Sequence, residues 1–165
     1  MTAHGHHAHD VRDIGCAVVT VSDTRTPETD TSGRRIQTLL SEHGHRIEHY
    51  AIVPDDPTRV VAVIESAPAS AEAVILSGGT GLARRDTTYE AVSRLLDKEI
   101  SGFGELFRML SYAEIGAAAM LSRATAGVAG RRVLFSVPGS TAAVELAMTK
   151  LILPQLGHIV GLLRA

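Results

Sequence analysis

Three short apolar runs in this chain each stop abruptly at a turn built from small or polar residues. Residues 15–22 (GCAVVTVS) run into Asp23-Thr24, residues 73–76 (AVIL) into Ser77-Gly78-Gly79-Thr80-Gly81, and residues 132–137 (RVLFSV) into Pro138-Gly139-Ser140. Continuous β-branched runs of roughly four to eight residues suit strands that are covered on both faces. Parallel neighbours of that kind need long crossovers, usually helices. Segments with apolar residues at helical spacing do follow: residues 32–43 with Ile36, Leu39 and Leu40, and a stretch from Pro57 with Val60, Val61 and Ile64 on the face expected to be buried. The pattern predicts an α/β fold, a three-layer αβα arrangement around a mostly parallel central sheet.

Local punctuation refines the reading. Gly44 is placed to end the first helix in a left-handed conformation, and residues 45–53 read as a second strand. Asp56 is placed to cap a helix whose first residue is Pro57, where the missing N–H costs nothing; Pro68 is expected to end it. Thr87 and Glu90 have capping-box spacing and open a predicted helix carrying Val92, Leu95 and Leu96. Residues 102–123 read as packed helix and turn. A helix after Ser140 is expected to reach Ile152, with Pro154 separating it from a last helix that carries Leu156, Ile159, Val160 and Leu163.

Composition narrows the function classes. A chain of 165 residues fits one domain of the common size, roughly 100–200 residues. Its 45% hydrophobic and 21% charged content excludes a wholly disordered chain. A formal charge of −2 and a pI near 6.4 argue against nucleic acid as a partner. Six Phe and Tyr residues and no Trp leave an aliphatic core and little for base stacking. No run reaches the roughly 18 consecutive apolar residues of a membrane span. The opening MTAHGHHAHD lacks the apolar stretch of a signal peptide. With a lone cysteine, Cys16, read as core filler, a cytoplasmic location is expected. Residues 1–12, with His4, His6, His7 and His9, read as a flexible leader, and residues 13–165 as a single domain.

In open parallel sheets, ligands bind beyond the carboxyl ends of the strands, so chain order alone gathers the three turns on one rim. Glycine serves ordinary turns as well; three such turns after three strands point to a ligand site. Glycines at 78, 79 and 81 let backbone amides approach an anion closely. The loop is neither of the familiar nucleotide fingerprints: no Gly-Lys-Ser/Thr follows, and Arg84 stands where GxGxxG needs its third glycine. Arg84 and Arg85 can pair with phosphate oxygens. Asp86, with Asp55 at the end of the second strand, can help hold Mg²⁺, which usually takes one or two carboxylates plus substrate phosphates. On local sequence alone, a solvated charge cluster is the usual fate of such a run, and a turn or cap role is the plainer reading of Asp55. A serine hydrolase is disfavoured by the absence of G-x-S-x-G, and zinc by the absence of HExxH or paired Cys/His spacing. His158 is expected on a helix surface or interface.

Taken together, VSDTR (21–25), DTSG (30–33), SGGTGLARRDTTYEAV (77–92), GFGELFR (102–108), LSRATAG (121–127) and VPGSTAAVELA (137–147) resemble the MoaB/Mog family of molybdenum-cofactor biosynthesis proteins. The resemblance runs from about residue 18 to 159, and GFGELFRMLSYAEIG looks most like the MoaB branch. It implies a mixed-sheet α/β fold, usually trimeric, that binds molybdopterin. In active members AMP passes from Mg-ATP to the terminal phosphate of molybdopterin, giving adenylyl-molybdopterin and pyrophosphate, and the product can then be handed to a molybdenum-insertion protein. Asp55 and Asp86 match the two aspartates of active relatives, which inactive-looking members lack. The resemblance therefore implies Asp55 and Asp86 as catalytic and Mg²⁺-binding residues. It implies Ser22, Asp23, Ser77, Gly78, Gly79, Thr80, Gly81, Arg85, Glu105, Pro138, Gly139 and Ser140 around the substrates. The alternative is a non-catalytic molybdopterin carrier, which needs the glycine turns but no metal carboxylates. Apolar surface on residues 102–121 and on the last helix favours oligomerisation, the alternative being that both segments cover the sheet; the resemblance implies that the oligomer is a homotrimer.

Overall fold

The computed structural model describes residues 10–165. The histidines expected to form a leader lie at positions outside the described residues, while Val11 donates its N–H to the Gly157 carbonyl at 3.1 Å. The chain alternates strand and helix: β1 (Gly15–Val21), α1 (Thr31–Glu42), β2 (Arg46–Val53), α2 (Pro57–Glu65), β3 (Ala73–Ser77), α3 (Thr88–Leu95), β4 (Lys98–Glu99) and α4 (Ser101–Ile115). A 3₁₀ turn (Gly116–Leu121), β5 (Thr125–Ala129), β6 (Arg132–Val137), α5 (Thr141–Ala147), a π turn (Met148–Ile152) and α6 (Leu153–Arg164) complete it.

The six strands form one sheet in the order β2-β1-β3-β6-β5-β4. The four from β2 to β6 are mutually parallel, β5 runs antiparallel to β6, and β4 runs antiparallel to β5. The expected three layers are present. Within β1, Cys16 and Val18 face one layer of the core, with α1, α4, α5 and α6, while Ala17, Val19 and Val21 face the other, with α2 and α3. Both faces are covered, which is why the strand reads as an unbroken apolar run. Cys16 is fully buried, and burial pushes its thiol up to about 12, consistent with a filler and not a nucleophile. With no tryptophan in the chain, phenylalanine supplies the bulk. Phe103 sits edge-on to Phe135 at 5.4 Å and 6.5 Å from Phe107. Truncating such a buried ring costs about 3–5 kcal/mol.

Several local expectations are met. Gly44 has φ +79°, and Asp56 caps α2 by accepting from Arg59 N–H. Others are corrected. In α2 the buried residues are Val60, Val63 and Ile64, with Val61 only half-buried. Pro154 does not break the last helical stretch, which runs unbroken from Thr141 to Arg164. The π turn at Met148–Ile152 lies directly before it and widens the backbone where the proline ring would otherwise crowd the preceding turn. That stretch is long and apolar enough to span a membrane. Its Val144, Met148, Ile152, Leu156 and Val160 are buried in the core. Strands β4 and β5 carry no clear sequence signal. β5 can be approached closely because position 127 is glycine: a Cβ there would lie 2.4 Å from the Lys98 carbonyl oxygen.

Candidate functional site

The three turns meet at the carboxyl edge of β1, β3 and β6, which are adjacent parallel strands. Gly78 N–H donates to the Val137 carbonyl at 2.9 Å and Ser22 N–H to the Val53 carbonyl at 2.9 Å. Each of these two turns is thereby tied to the end of a neighbouring strand. Ser22 Oγ accepts from the amides of Thr24 and Arg25 at 3.2 and 3.0 Å and shapes the first turn. Gly78 and Gly79 have φ of +109° and +70°, a region that L side chains rarely adopt. Space demands glycine as well. A Cβ on Gly78 would lie 2.2 Å from the Val21 carbonyl oxygen, and one on Gly79 would lie 2.0 Å from Thr88 Oγ1 and 2.6 Å from Asp55 Oδ2.

Asp55 is held by the start of α3. Its Oδ1 accepts from Thr87 N–H at 3.1 Å, from Thr87 Oγ1 at 2.9 Å and from Thr88 Oγ1 at 3.4 Å. Asp23 Oδ1 in turn accepts from the Asp55 amide at 3.1 Å. The carboxylate thus sits where a helix N-terminus favours negative charge. The capping box expected from Thr87 and Glu90 is absent. Thr87 makes no side-chain cap bond to its own helix, because its hydroxyl and amide go to Asp55, and Glu90 pairs with Arg123. Asp86 Oδ2 accepts from Ala83 N–H at 3.0 Å, which folds residues 83–86 into a tight turn.

Among the described residues, two clefts on this rim are lined by the glycine-rich loop. The smaller, about 170 Å³, is lined by Ser22, Asp23, Thr24, Asp55, Gly79, Arg85 and Asp86. The larger, about 450 Å³, runs from residues 78–81 and Asp86 past Pro138, Gly139 and Ser140 to Phe107, Ser111, Ile115 and Leu121. Gly79 and Asp86 belong to both. Among the described residues no three His, Cys, Asp or Glu side chains form a closed metal cage. An Mg²⁺ ion needs none, since phosphates and water fill most of its positions. Asp23 Oδ2, Asp55 Oδ2 and Asp86 Oδ1 each lack a hydrogen-bond donor among the described residues. Of these, Asp55 and Asp86 are the residues that could hold a divalent cation together with a bound phosphate.

The structure brings together Ser22, Asp23, Asp55, Gly78, Gly79, Thr80, Gly81, Arg85, Asp86, Pro138, Gly139 and Ser140. Ser77 is buried at the end of β3 and lines neither cleft, and its Oγ has no partner among the described residues. Glu105 stands apart, exposed on α4 and lining neither cleft. Arg84 is exposed outside both.

Other contributors are not evident from local sequence. Ser32 Oγ donates to the Gly139 carbonyl at 2.7 Å and so fixes the third turn. Asp30, almost fully buried, accepts from Thr20 Oγ1 at 2.6 Å, Tyr50 OH at 2.5 Å and Gly33 N–H at 2.9 Å. Burial, followed by that bond to Asp30, holds the Tyr50 hydroxyl well above the usual tyrosine range. The available signal is DTSG, which supplies both Asp30 and Ser32. A further cleft of about 620 Å³ lies at the opposite edge of the sheet, lined by Arg46, Glu72, Arg131, Arg132 and Arg164 among others. Most of its guanidiniums are already engaged. Arg164 pairs with Glu72 at 2.7 Å, Arg46 with Asp13 and Glu48 at 2.5 and 2.9 Å, and Arg132 with the carbonyls of Ile64, Ala67 and Pro68.

Comparison with known proteins agrees with this architecture. Residues 17–158 match a family described as a probable molybdopterin binding domain. The chain is 58% identical over 153 residues to molybdenum cofactor biosynthesis protein B of Staphylococcus carnosus, covering 90% of each. It is 52% identical over 162 residues to the protein of the same name from Bacillus cereus, covering 96% of each. A crystal structure of a molybdenum cofactor biosynthesis protein B superposes with a TM-score of 0.90 at 54% identity, over 93% of this chain and 97% of that one. The tungsten cofactor synthesizing protein MoaB of Pyrococcus furiosus gives 0.85 at 40% identity, over 94% of this chain and 99% of that one. With a matching domain, close relatives and a shared fold along nearly its whole length, the chain belongs to the MoaB family of molybdenum-cofactor biosynthesis proteins.

Proposed function

We propose that this protein is a molybdopterin adenylyltransferase, transferring AMP from ATP to the terminal phosphate of molybdopterin with Mg²⁺ and releasing pyrophosphate. The observation that carries the reading is the acidic cleft around Asp55 and Asp86, which shares Gly79 and Asp86 with a larger cleft that has apolar residues in its lining. The smaller cleft suits a metal-bound phosphate chain. The larger suits a flat heterocycle, with Phe107, Ile115 and Leu121 on one side and polar backbone on the other.

Adenylyl transfer asks for positioning and charge neutralisation more than for a protein nucleophile. A phosphate oxygen of molybdopterin attacks the α-phosphorus of ATP, the new P–O bond forms, and the bond from that phosphorus to the bridging oxygen breaks as pyrophosphate departs. Magnesium held by Asp55 and Asp86 would supply Lewis acidity and offset the developing charge. Thr87 and Thr88 orient Asp55, and the Ala83 amide orients Asp86. Arg85 can pair with departing phosphate oxygens. The amides of residues 79–81 face no acceptor among the described residues and can hold further phosphate oxygens.

The test mixes protein, molybdopterin, ATP and Mg²⁺ and looks for adenylylated pterin by mass spectrometry. Failure to form it where an active relative succeeds sinks the reading. Tight pterin binding without product would instead support a molybdopterin carrier.

The same proposal includes a homotrimer working in the cytoplasm and handing its product to a molybdenum-insertion protein. Exposed Leu106, Met109, Tyr112 and Ile115 on α4, with Met120 and Leu121 beyond it, support assembly through that face.

A further inference from the structure

Arg123 lies between the 3₁₀ turn and β5 and lines neither cleft. Its side chain is 23% exposed, and nearly all of its donors are directed at one object, the glycine-rich loop. Nε donates to the Gly81 carbonyl at 3.1 Å and to the Thr80 carbonyl at 3.4 Å. Nη2 donates to the Gly81 and Asp86 carbonyls at 2.7 and 2.9 Å. Its backbone N–H reaches the Thr80 carbonyl at 3.2 Å. Nη1 pairs with Glu90 Oε1, and the guanidinium carbon lies 5.0 Å from the centre of the Tyr89 ring.

A peptide group that turns its carbonyl one way turns its N–H the other. Arg123 gathers the carbonyls of Thr80 and Gly81 on the protein side of the loop, and so turns the amides that share those peptide groups, of Gly81 and Leu82, the other way. The amides of Gly79, Thr80 and Gly81 find no acceptor among the described residues, and these three residues line the large cleft. A planar fork with five donors can bind several carbonyls at fixed angles; an ammonium is a point charge on a flexible stem. Glu90 balances the charge: its Oε2 is buried without a hydrogen-bond partner among the described residues, and its bond to Arg123, ahead of its own backbone amide and the charge of Arg94, holds this carboxyl below the usual carboxylate range.

We infer that Arg123 is a positioning residue: it fixes the carbonyls of Thr80, Gly81 and Asp86, and with them the direction of the Gly81 amide, so that the loop is held as a ready-made receptor for the phosphate groups of a ligand. The inference rests on the reading that the loop meets phosphate, and it assigns Arg123 no contact with the ligand. The family resemblance includes Arg123 within LSRATAG (121–127) but gives it no role, and it lines neither cleft. Only the pattern of donors points to it.

Inorganic pyrophosphate is the probe. Its binding is measured by calorimetry in the wild type, Arg123→Lys and Glu90→Gln, alongside the thermal midpoint and hydrogen exchange of residues 78–82. Pyrophosphate should slow exchange at residues 79–81 of the wild type. Arg123→Lys, keeping the charge but not the fork, should bind pyrophosphate at least about tenfold more weakly while remaining folded. Glu90→Gln, which keeps the carbonyl contacts, should stay within about threefold. A folded Arg123→Lys that binds as well as the wild type overturns the inference. So does a loss in Glu90→Gln equal to that in Arg123→Lys. If Arg123→Lys does not fold, the wild-type exchange experiment still decides, because no protection at 79–81 refutes the receptor. Normal pyrophosphate binding by a wild type that makes no adenylyl-molybdopterin would retire the catalytic reading and leave this one standing.

Discussion

Asp55 and Thr87, thirty-two positions apart, are joined twice: the carboxylate oxygen Oδ1 receives both the amide and the hydroxyl of the threonine, at 3.1 and 2.9 Å. The threonine sits at the N-cap position of α3 without capping it. This places a carboxylate from one loop at the mouth of a helix from another, with its second oxygen left for the cleft. Thr87→Val keeps the amide bond and removes the hydroxyl. Turnover in the adenylylation assay should fall about tenfold with little change in stability. Asp55→Asn should lower it by about 10² or more while pterin binding is largely retained. Equal loss of binding and turnover would count against a role for Asp55 in transfer.

Gly44 and Gly79 share a positive φ but not the same surroundings. At Gly44 nothing lies within 4 Å of the place a Cβ would take, whereas at Gly79 Thr88 Oγ1 would be 2.0 Å away. Gly44→Ala should cost about 1 kcal/mol in urea unfolding, the backbone strain alone, with the site intact. Gly79→Ala adds a clash with the group that orients Asp55. It should cost about 2–4 kcal/mol and abolish adenylylation. Similar costs for the two would refute the crowding argument.

Cys16 makes stability depend on pH in the alkaline range. Its thiol is raised from about 9 to about 12 in the folded protein. The contribution is therefore fully present below the unfolded value and is lost as pH rises toward the folded one, because the unfolded chain releases the proton first. Between about pH 9 and 12 the wild type should lose up to ~1.4 kcal/mol per pH unit more than Cys16→Ala. Parallel unfolding curves for the two proteins would contradict this. Alkylation of native protein near neutral pH should be limited by opening of the fold.

Tyr50→Phe deprives buried Asp30 of a donor, leaving Thr20 Oγ1 and the Gly33 amide. The expected cost is about 1–3 kcal/mol by urea unfolding. Asp30 caps α1 and Ser32, two residues on, anchors Gly139, so pterin affinity should drop as well. Unchanged affinity would show that this network serves stability only.

Met109→Glu tests the assembly. The side chain is 60% exposed amid Leu106, Tyr112 and Ile115. Sedimentation velocity should find a trimer in the wild type and a smaller species in the variant, and a wild-type monomer would refute the proposal. Where assembly and folding are coupled, the variant's midpoint also becomes more concentration dependent.

How far the sequence is readable depends on whether each decision is local. β1, β3 and β6 declare themselves through continuous β-branched runs, and Asp56-Pro57 declares a helix start within two residues. Asp55, Asp86 and the glycine turns converge because parallel strands deliver their ends to one side. Where reading fails, a distant partner has intervened. The Thr-x-x-Glu spacing at 87–90 is a sound local signal, yet Thr87 is claimed by Asp55 and Glu90 by Arg123. β5, TAGVA, carries too little side chain to announce a strand. Its register depends on backbone approaching Gly127 from Lys98, which no local window contains. Pro154 would end an ordinary helix, and only the π turn before it makes room. Glu105 rests on resemblance alone and lies in neither cleft.

The short β4 has one more consequence. A sheet's outermost strand is a template on which another molecule's strand can add, and here it offers two exposed charged residues, Lys98 and Glu99. The opposite margin begins Arg46-Ile47-Glu48-His49, with Arg46 and Glu48 already paired to each other. Both borders thus discourage fibrous growth. Copies of the chain can crowd together through helical faces at high concentration without their sheets being extended end to end.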